Sequence, residues 1–337
     1  MSDQLYPEVV IRTGSHVVTA MCHISVSQPI SKQLLITGTD DGKVLCWDLS
    51  AQLIRQSFSI DSTMVLSTIP LVQSCRVLAY TRGQKVMILE WCDRSGQFQS
   101  TLTHQFEGNV CPTFCSTACI SECPDRCYIC VPADNEVNVY SVQLTPPVGV
   151  VNTSITLKAG AMVTCVTSIS TNSEQNMSAM IGDEAGNISL YYIYNNGVQT
   201  KPHDGRYLHP ISSLNIHHKE PVLAIDYNST SRLGVTAGGS GLISIWKLKE
   251  QFKLSKHLDI KTPSKGFNAV RIRPDSKLLI LCSWDGVVRL YSPKQGKLLA
   301  LLDFHRQSVN AISFNNGGEF VTSSKDNTIC VWSLYAK

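Results

Sequence analysis

Two couples of histidine and aspartate, His16 with Asp41 and His305 with Asp326, invite a catalytic reading. An imidazole oriented by a carboxylate is the general-base half of many hydrolytic sites. Such a couple still needs a nucleophile, and no serine or cysteine stands in a recognisable strand-to-helix elbow. Each couple comes instead with a threonine ten residues, and its aspartate six residues, before a tryptophan: Thr37, Asp41, Trp47 and Thr322, Asp326, Trp332. These four side-chain types can form one hydrogen-bonded chain inside a protein, where polar groups are costly unless paired. Repetition at both ends of the sequence favours that structural use, and no catalytic residue is expected. Gly182, Gly186, Gly238, Gly239 and Gly241 read as hairpin glycines, not as a phosphate loop, and no cofactor is expected.

Cys111, Cys115, Cys119, Cys123, Cys127 and Cys130 form a second constellation. Four thiolates could hold a structural zinc, but such sites usually present two close pairs, and this spacing lacks them. The expectation is two strands, 114–120 and 128–131, that bury small cysteines, and no metal. Thirteen cysteines, an odd number in a chain of 337 residues, also argue against a disulfide scaffold.

The elements that carry these residues repeat. Seven ten-residue stretches align without a gap: 38–47 (GTDDGKVLCW), 80–89 (YTRGQKVMIL), 131–140 (VPADNEVNVY), 182–191 (GDEAGNISLY), 237–246 (AGGSGLISIW), 282–291 (CSWDGVVRLY) and 323–332 (SSKDNTICVW). Each is a turn followed by an apolar strand that ends, six times in seven, in an aromatic. A repeat of roughly 40–45 residues with this pattern is the WD40 signature, and longer spacings are loop insertions. The expected fold is all-β: a single seven-bladed WD40 β-propeller over residues 1–337, blades ending near 47, 89, 140, 191, 246, 291 and 332. The last blade lacks sequence for its own outer strand, so 7–13 is expected to supply it and close the ring; an unpaired strand would leave its backbone groups open.

The polar set is expected complete only in blades one and seven. Asp134 and Asp285 end in Tyr140 and Tyr291, while Gly83, Ala185 and Ser240 replace the turn aspartate, and His218 precedes blade five. The residue before the turn acid commonly lines the face beside a propeller's channel: here Asp40, Arg82, Ala133, Glu184, Gly239, Trp284 and Lys325. Among these, Trp284 is the strongest partner-binding candidate, as a large aromatic at a turn tip, with Asp40, Arg82, Glu184 and Lys325 around it. The insertion 194–209 is the second candidate, through Tyr207 and His209.

Hydrophobic residues make up 43% of the chain, charged ones 16%, and the net charge is +3. That composition supports a continuous core, and the scattered lysines and arginines form no stripe for nucleic acid or membrane lipid. The first residues carry no secretory signal pattern, so an intracellular protein is expected.

The segments 219–228 (KEPVLAIDYN), 271–279 (RIRPDSKLL), 283–291 (SWDGVVRLY), 298–314 (LLALLDFHRQSVNAISF) and 324–335 (SKDNTICVWSLY) resemble one family. It is the guanine nucleotide-binding protein subunit beta-like protein 1 family, whose fungal counterpart is ASTRA-associated protein 1. The resemblance runs through the chain in blade order and is specific from about residue 220 onward. It implies a non-catalytic adaptor in nucleus and cytoplasm, with partners in the ASTRA assembly and the TTT cochaperone that mature phosphatidylinositol 3-kinase-related kinases. It also implies a link to chromatin remodelling. A scaffold of an unrelated chromatin or ubiquitin-ligase complex is the alternative. A G-protein γ chain is not expected as partner, because only about seven residues precede the closing strand, too few for a heptad helix.

Overall fold

The computed structural model describes residues 5–26, 32–106, 114–169, 176–194, 207–315 and 317–334, without the side chains of 32, 33, 154, 176, 194 and 207. Apart from one short 3-10 turn at Glu250–Phe252, its regular elements are strands, gathered into seven sheets that are the blades of an all-β propeller fold. Blade one is Val18–Val26, Lys32–Thr39, Lys43–Asp48 and Leu53–Ser59, in sequence order and antiparallel. Blade two is Val65–Leu71, Arg76–Thr81, Lys85–Cys92 and Gln97–Gln105. Blade three is Ala118–Glu122, Arg126–Ala133, Glu136–Gln143 and Gly149–Lys158, and blade four is Val163–Ser168, Asn176–Asp183, Asn187–Tyr194 and Ser212–Asn215. Blade five is Val222–Asn228, Leu233–Gly238, Leu242–Leu248 and Leu254–Lys261. Blade six is Phe267–Ile272, Leu279–Ser283, Val288–Tyr291 and Leu298–Leu302. Blade seven is Val309–Phe314, Phe320–Ser324 and Thr328–Trp332, with Val9–Arg12 as its fourth strand.

That last pairing is the expected closure. Val9 faces Val331 and Arg12 faces Thr328 in an antiparallel ladder, so the final inner strand has no open edge. Ile11 is buried there among Trp47, Val321 and Ile329.

The described residues form two compact units. Unit one lies within Met1–Val110, Cys282–Arg289 and Ala300–Lys337, and holds blades seven, one and two. Unit two lies within Cys111–Leu281 and Leu290–Leu299, and holds blades three, four and five, while blade six contributes residues to each. Second strands such as Arg76–Thr81, Leu233–Gly238 and Phe320–Ser324 are buried at every position, because both their faces are covered. This is why their sequences show no strict alternation of apolar and polar residues.

Two irregularities recur and join neighbouring blades. The first strand shifts register after its opening valine in five blades, at Val18, Val65, Val163, Val222 and Val309. The extra residue of each bulge is re-aimed sideways. In three blades it donates to the next opening valine: Thr19 Oγ1 to Val65 O at 2.6 Å, Thr164 Oγ1 to Val222 O at 2.5 Å, and Asn310 Nδ2 to Val18 O at 3.0 Å. The second irregularity is a left-handed residue in the turn after the second strand. Gly42 and Gly286 hold it with φ of 80° and 85°; a Cβ on either would lie within 3 Å of a carbonyl oxygen of the following loop.

Blade three departs from expectation. Its first strand is Ala118–Glu122, not 114–120, and Phe114 is exposed outside it. A fifth strand, Tyr207–Leu208, pairs in parallel with Thr156 and Leu157, so the end of the blade-four insertion covers part of this blade's outer edge.

Candidate partner-binding face

The polar turn networks fix the frame on which any face is built. In blade seven the four expected residues meet. Trp332 Nε1 donates to Thr322 Oγ1 at 2.9 Å, and Thr322 Oγ1 lies 2.8 Å from His305 Nε2. His305 Nδ1 is 2.9 Å from Thr328 Oγ1, which donates to Asp326 Oδ1 at 2.5 Å. Burial lowers the His305 pKa against the pull of Asp326. Thr328 gives its proton to Asp326, so it accepts from Nδ1–H, and the neutral tautomer with that proton accepts from Thr322 at Nε2. Thr328, a turn residue outside the expected set of four, is the link between histidine and aspartate.

Blade one is built differently from the expectation. Trp47 Nε1 donates to Thr37 Oγ1 at 2.9 Å, but among the described residues His16 has no hydrogen bond to Thr37. His16 lies 3.6 Å from Asp41, whose nearer partners are Thr39 Oγ1 at 2.5 Å and Lys43 Nζ at 2.6 Å. The set is split because Asp41 and His16 stand at the rim, where water and lysine can serve the carboxylate.

The other blades use substitutes. In blade five it is His217, not His218, that is buried and meets Thr236 Oγ1 at 3.0 Å; His218 is exposed at a φ of 48° in the turn. In blade two Gly83 stands where the acid is missing because Asp61, from the loop before the first strand, occupies the space. A Cβ on Gly83 would lie 2.2 Å from Asp61 Oδ2, which accepts from Thr63 and Thr81. Asp61 precedes its strand by as many residues as His305 precedes Val309, a signal the spacing carried. In blade six Arg289 replaces the histidine: it is buried, donates to Ser283 Oγ at 2.7 Å, and grips Asp285 with two bonds at 2.8 and 2.6 Å. In blade four Asp183, two positions before Ala185 at the turn-acid position, accepts from the Asn187 backbone and side chain.

These networks aim the turn tips outward. The residue at each tip donates its backbone N–H to the loop ahead of the blade's first strand: Asp40 to Val17, Arg82 to Met64, Glu184 to Met162 and Lys325 to Ser308. In unit one the turns and loops alternate in one row. Gly286 packs against His305 and Gln307, so Trp284 and Lys325 flank the loop 305–308. Thr13 binds Asn327 O, so Lys325 and Asp40 flank the loop 13–17, and Gly42 packs against Asp61, so Asp40 and Arg82 flank the next. Four of the expected face residues therefore share one rim. Trp284 is 44% exposed on it although the residues on either side of it, Ser283 and Asp285, serve the Arg289 network.

In unit two Ala133, Glu184 and Gly239 hold the same turn positions, with Glu184 exposed. The backbone of Tyr207 lies at the turn end of blade three but on its outermost strand, and His209 is exposed beyond it. The side chain of Tyr207 and residues 195–206 lie outside the described residues, as does Cys111. Cys115, Cys127 and Cys130 are buried; Cys119 and Cys123 are partly so. Burial raises the Cys130 thiol pKa strongly, with Cys119 adding to it. Among the described residues no three histidine, cysteine or acidic side chains are grouped to hold a metal ion.

The family model for the WD domain, G-beta repeat, matches residues 10–48, 208–247, 250–292 and 296–333. Mouse guanine nucleotide-binding protein subunit beta-like protein 1 is 24% identical over 98% of this chain and 96% of its own length. ASTRA-associated protein 1 of Schizosaccharomyces pombe is 28% identical over 53% of this chain and 49% of its own. Mouse transducin beta-like protein 3 is 31% identical over 35% of this chain and 15% of its own. The chain is thus similar over nearly its whole length to a beta-like protein 1, and over about half of it to an ASTRA-associated protein 1.

Proposed function

We propose that this chain is a non-catalytic WD40 adaptor of the ASTRA and TTT cochaperone machinery, which brings phosphatidylinositol 3-kinase-related kinases to maturity in nucleus and cytoplasm. The likeness to ASTRA-associated protein 1 carries the choice of assembly. The exposed Trp284, in a chain where Trp47, Trp246 and Trp332 are buried, supports the choice of face. Its ring offers apolar area at low conformational cost, and Lys325, Asp40 and Arg82 supply a polar rim around it. The His305–Asp326 couple is committed to its turn network, and in the other couple Asp41 is bonded to Thr39 and Lys43.

Affinity capture of tagged wild-type chain and of Trp284→Ala, read by mass spectrometry, tests both parts. The expected result is cochaperone subunits with wild type and their loss with a folded variant. Retention by both would move the face elsewhere. Absence from both, or depletion that leaves every client kinase at its normal level, would remove the assembly from the reading.

A further inference from the structure

The outer strand of blade six, Leu298–Leu302, ends its sheet and reads Leu-Leu-Ala-Leu-Leu. Leu298 and Leu299 are each 43% exposed and Leu301 is 50% exposed. The outer strands of four other blades are protected. Leu53–Ser59 carries Arg55, Leu254–Lys261 carries Lys256, His257, Asp259 and Lys261, and Gln97–Gln105 is mostly polar. Gly149–Lys158 is overlaid by Tyr207–Leu208. An apolar edge with no charge inside it is what sheets ordinarily avoid, because its open N–H and C=O groups template a further strand.

We infer that this edge pairs with the same edge of a second copy of this chain, antiparallel, about a twofold axis through Ala300. The segment is a palindrome. The register that sets Ala300 against its counterpart sets Leu299 against Leu301 and Leu298 against Leu302 of the second copy, each pair occurring twice. The match continues into charge: the same register sets Lys297 against Asp303, again twice. Both are exposed, and neither side chain has a hydrogen bond or ion pair among the described residues. Sliding the copies by two residues either way would lay the lysine or the aspartate against a leucine, so one register is selected. Residues directly opposite share a sheet face, which brings the exposed Leu299 and Leu301 of both copies together on one side. A twofold contact of this kind is self-complementary and stops at two copies. A five-residue ladder is small beside the ~1,200 Å2 of a stable interface, so the dimer is a weak one.

Sedimentation equilibrium of the whole chain, from low micromolar to about 200 µM, is the test. Wild type is expected to dimerise. Lys297→Asp and Asp303→Lys each set like charges at both ends of the ladder and should weaken self-association about tenfold or more. An equimolar mixture of these two variants should associate as tightly as wild type, since the mixed pair has unlike charges at both ends. Leu299→Lys, with an unchanged circular dichroism spectrum, should remain monomeric. The inference is overturned by a wild type that stays monomeric throughout. It is equally overturned by a dimer that none of the three variants weakens, or by a mixture no tighter than either variant alone.

Discussion

Asp285 and Arg289 show how a blade keeps a polar turn when its histidine is missing, and they yield an asymmetric prediction. Arg289 is buried whereas Asp285 reaches the rim. Burial pushes the Asp285 carboxyl up, but the bonds and charge of Arg289 outweigh it and hold the pKa below its usual value. Removing the aspartate leaves a buried guanidinium unpaired, so Asp285→Ala should cost about 3 kcal/mol in urea denaturation. Arg289→Leu leaves a carboxylate that water can reach and should cost less. In blade seven Thr322 serves two partners at once, so Thr322→Val strands Trp332 N–H and His305 Nε2 and should cost about 2–4 kcal/mol. Thr37→Val strands only Trp47 N–H, and the same measurement should return about half. A third residue-scale prediction concerns pH. Burial pushes the His217 pKa down to about 4, against the attraction of Asp259. The unfolded ring binds its proton near pH 6.5, so between those values the unfolded state takes up more protons than the folded one. Stability is therefore full above pH 6.5 and falls as pH drops toward 4, by up to about 3 kcal/mol from this group. Urea midpoints across that range should show the slope, and His217→Gln should flatten it.

At the scale of the element, the recurring sideways bond from a bulge to the next blade's opening valine is what couples neighbouring sheets. Thr19→Val keeps the shape and removes the donor to Val65 O, and should cost about 1–2 kcal/mol in thermal unfolding; a neutral outcome would mean that water replaces the bond. The turns and inner strands were legible in the sequence because one pattern is imposed seven times, and a register of seven outweighs any single irregular blade. The closing strand was legible for a different reason: a β-rich run stands ahead of the first strand of blade one, and a sheet does not leave an inner edge bare. What stayed hidden was which residues stand in for a missing turn acid or histidine. Asp61 fills the place of a turn acid from a loop, Arg289 fills that of a histidine from a strand, and His217 differs from the expected His218 only by which neighbour turns inward. A sequence shows which residue type stands at a position, but two adjacent histidines are told apart only by the bend that turns one ring inward. The apolar Leu298–Leu302 edge is not legible in the sequence, since its composition is that of a buried strand and only its place at the end of a sheet exposes it.

At the scale of the molecule, the two units differ in how far along the chain their partners lie. Unit two is drawn mainly from the continuous stretch Cys111–Leu281. Unit one needs both ends: Val9 pairs with Val331, and Asn310 binds Val18 O. Closing a contact across some three hundred residues loses more chain entropy than closing a hairpin, and it is rewarded only after both partners are placed. Unit two should accordingly gain protection first, and the ladder between Val9–Arg12 and Thr328–Trp332 last. Pulse-labelled hydrogen exchange during refolding reads this directly. Amides of Leu233–Gly238 and Leu242–Leu248 should be protected in an early phase, and those of Thr328–Trp332 that face Val9–Arg12 in the slowest one. Removing residues 1–13 should abolish that slow phase and leave the early one unchanged, because the early strands draw no partner from the N-terminal segment. Early protection of Thr328–Trp332 in the full chain would instead mean that the termini nucleate folding, and the order argued from contact distance would be reversed.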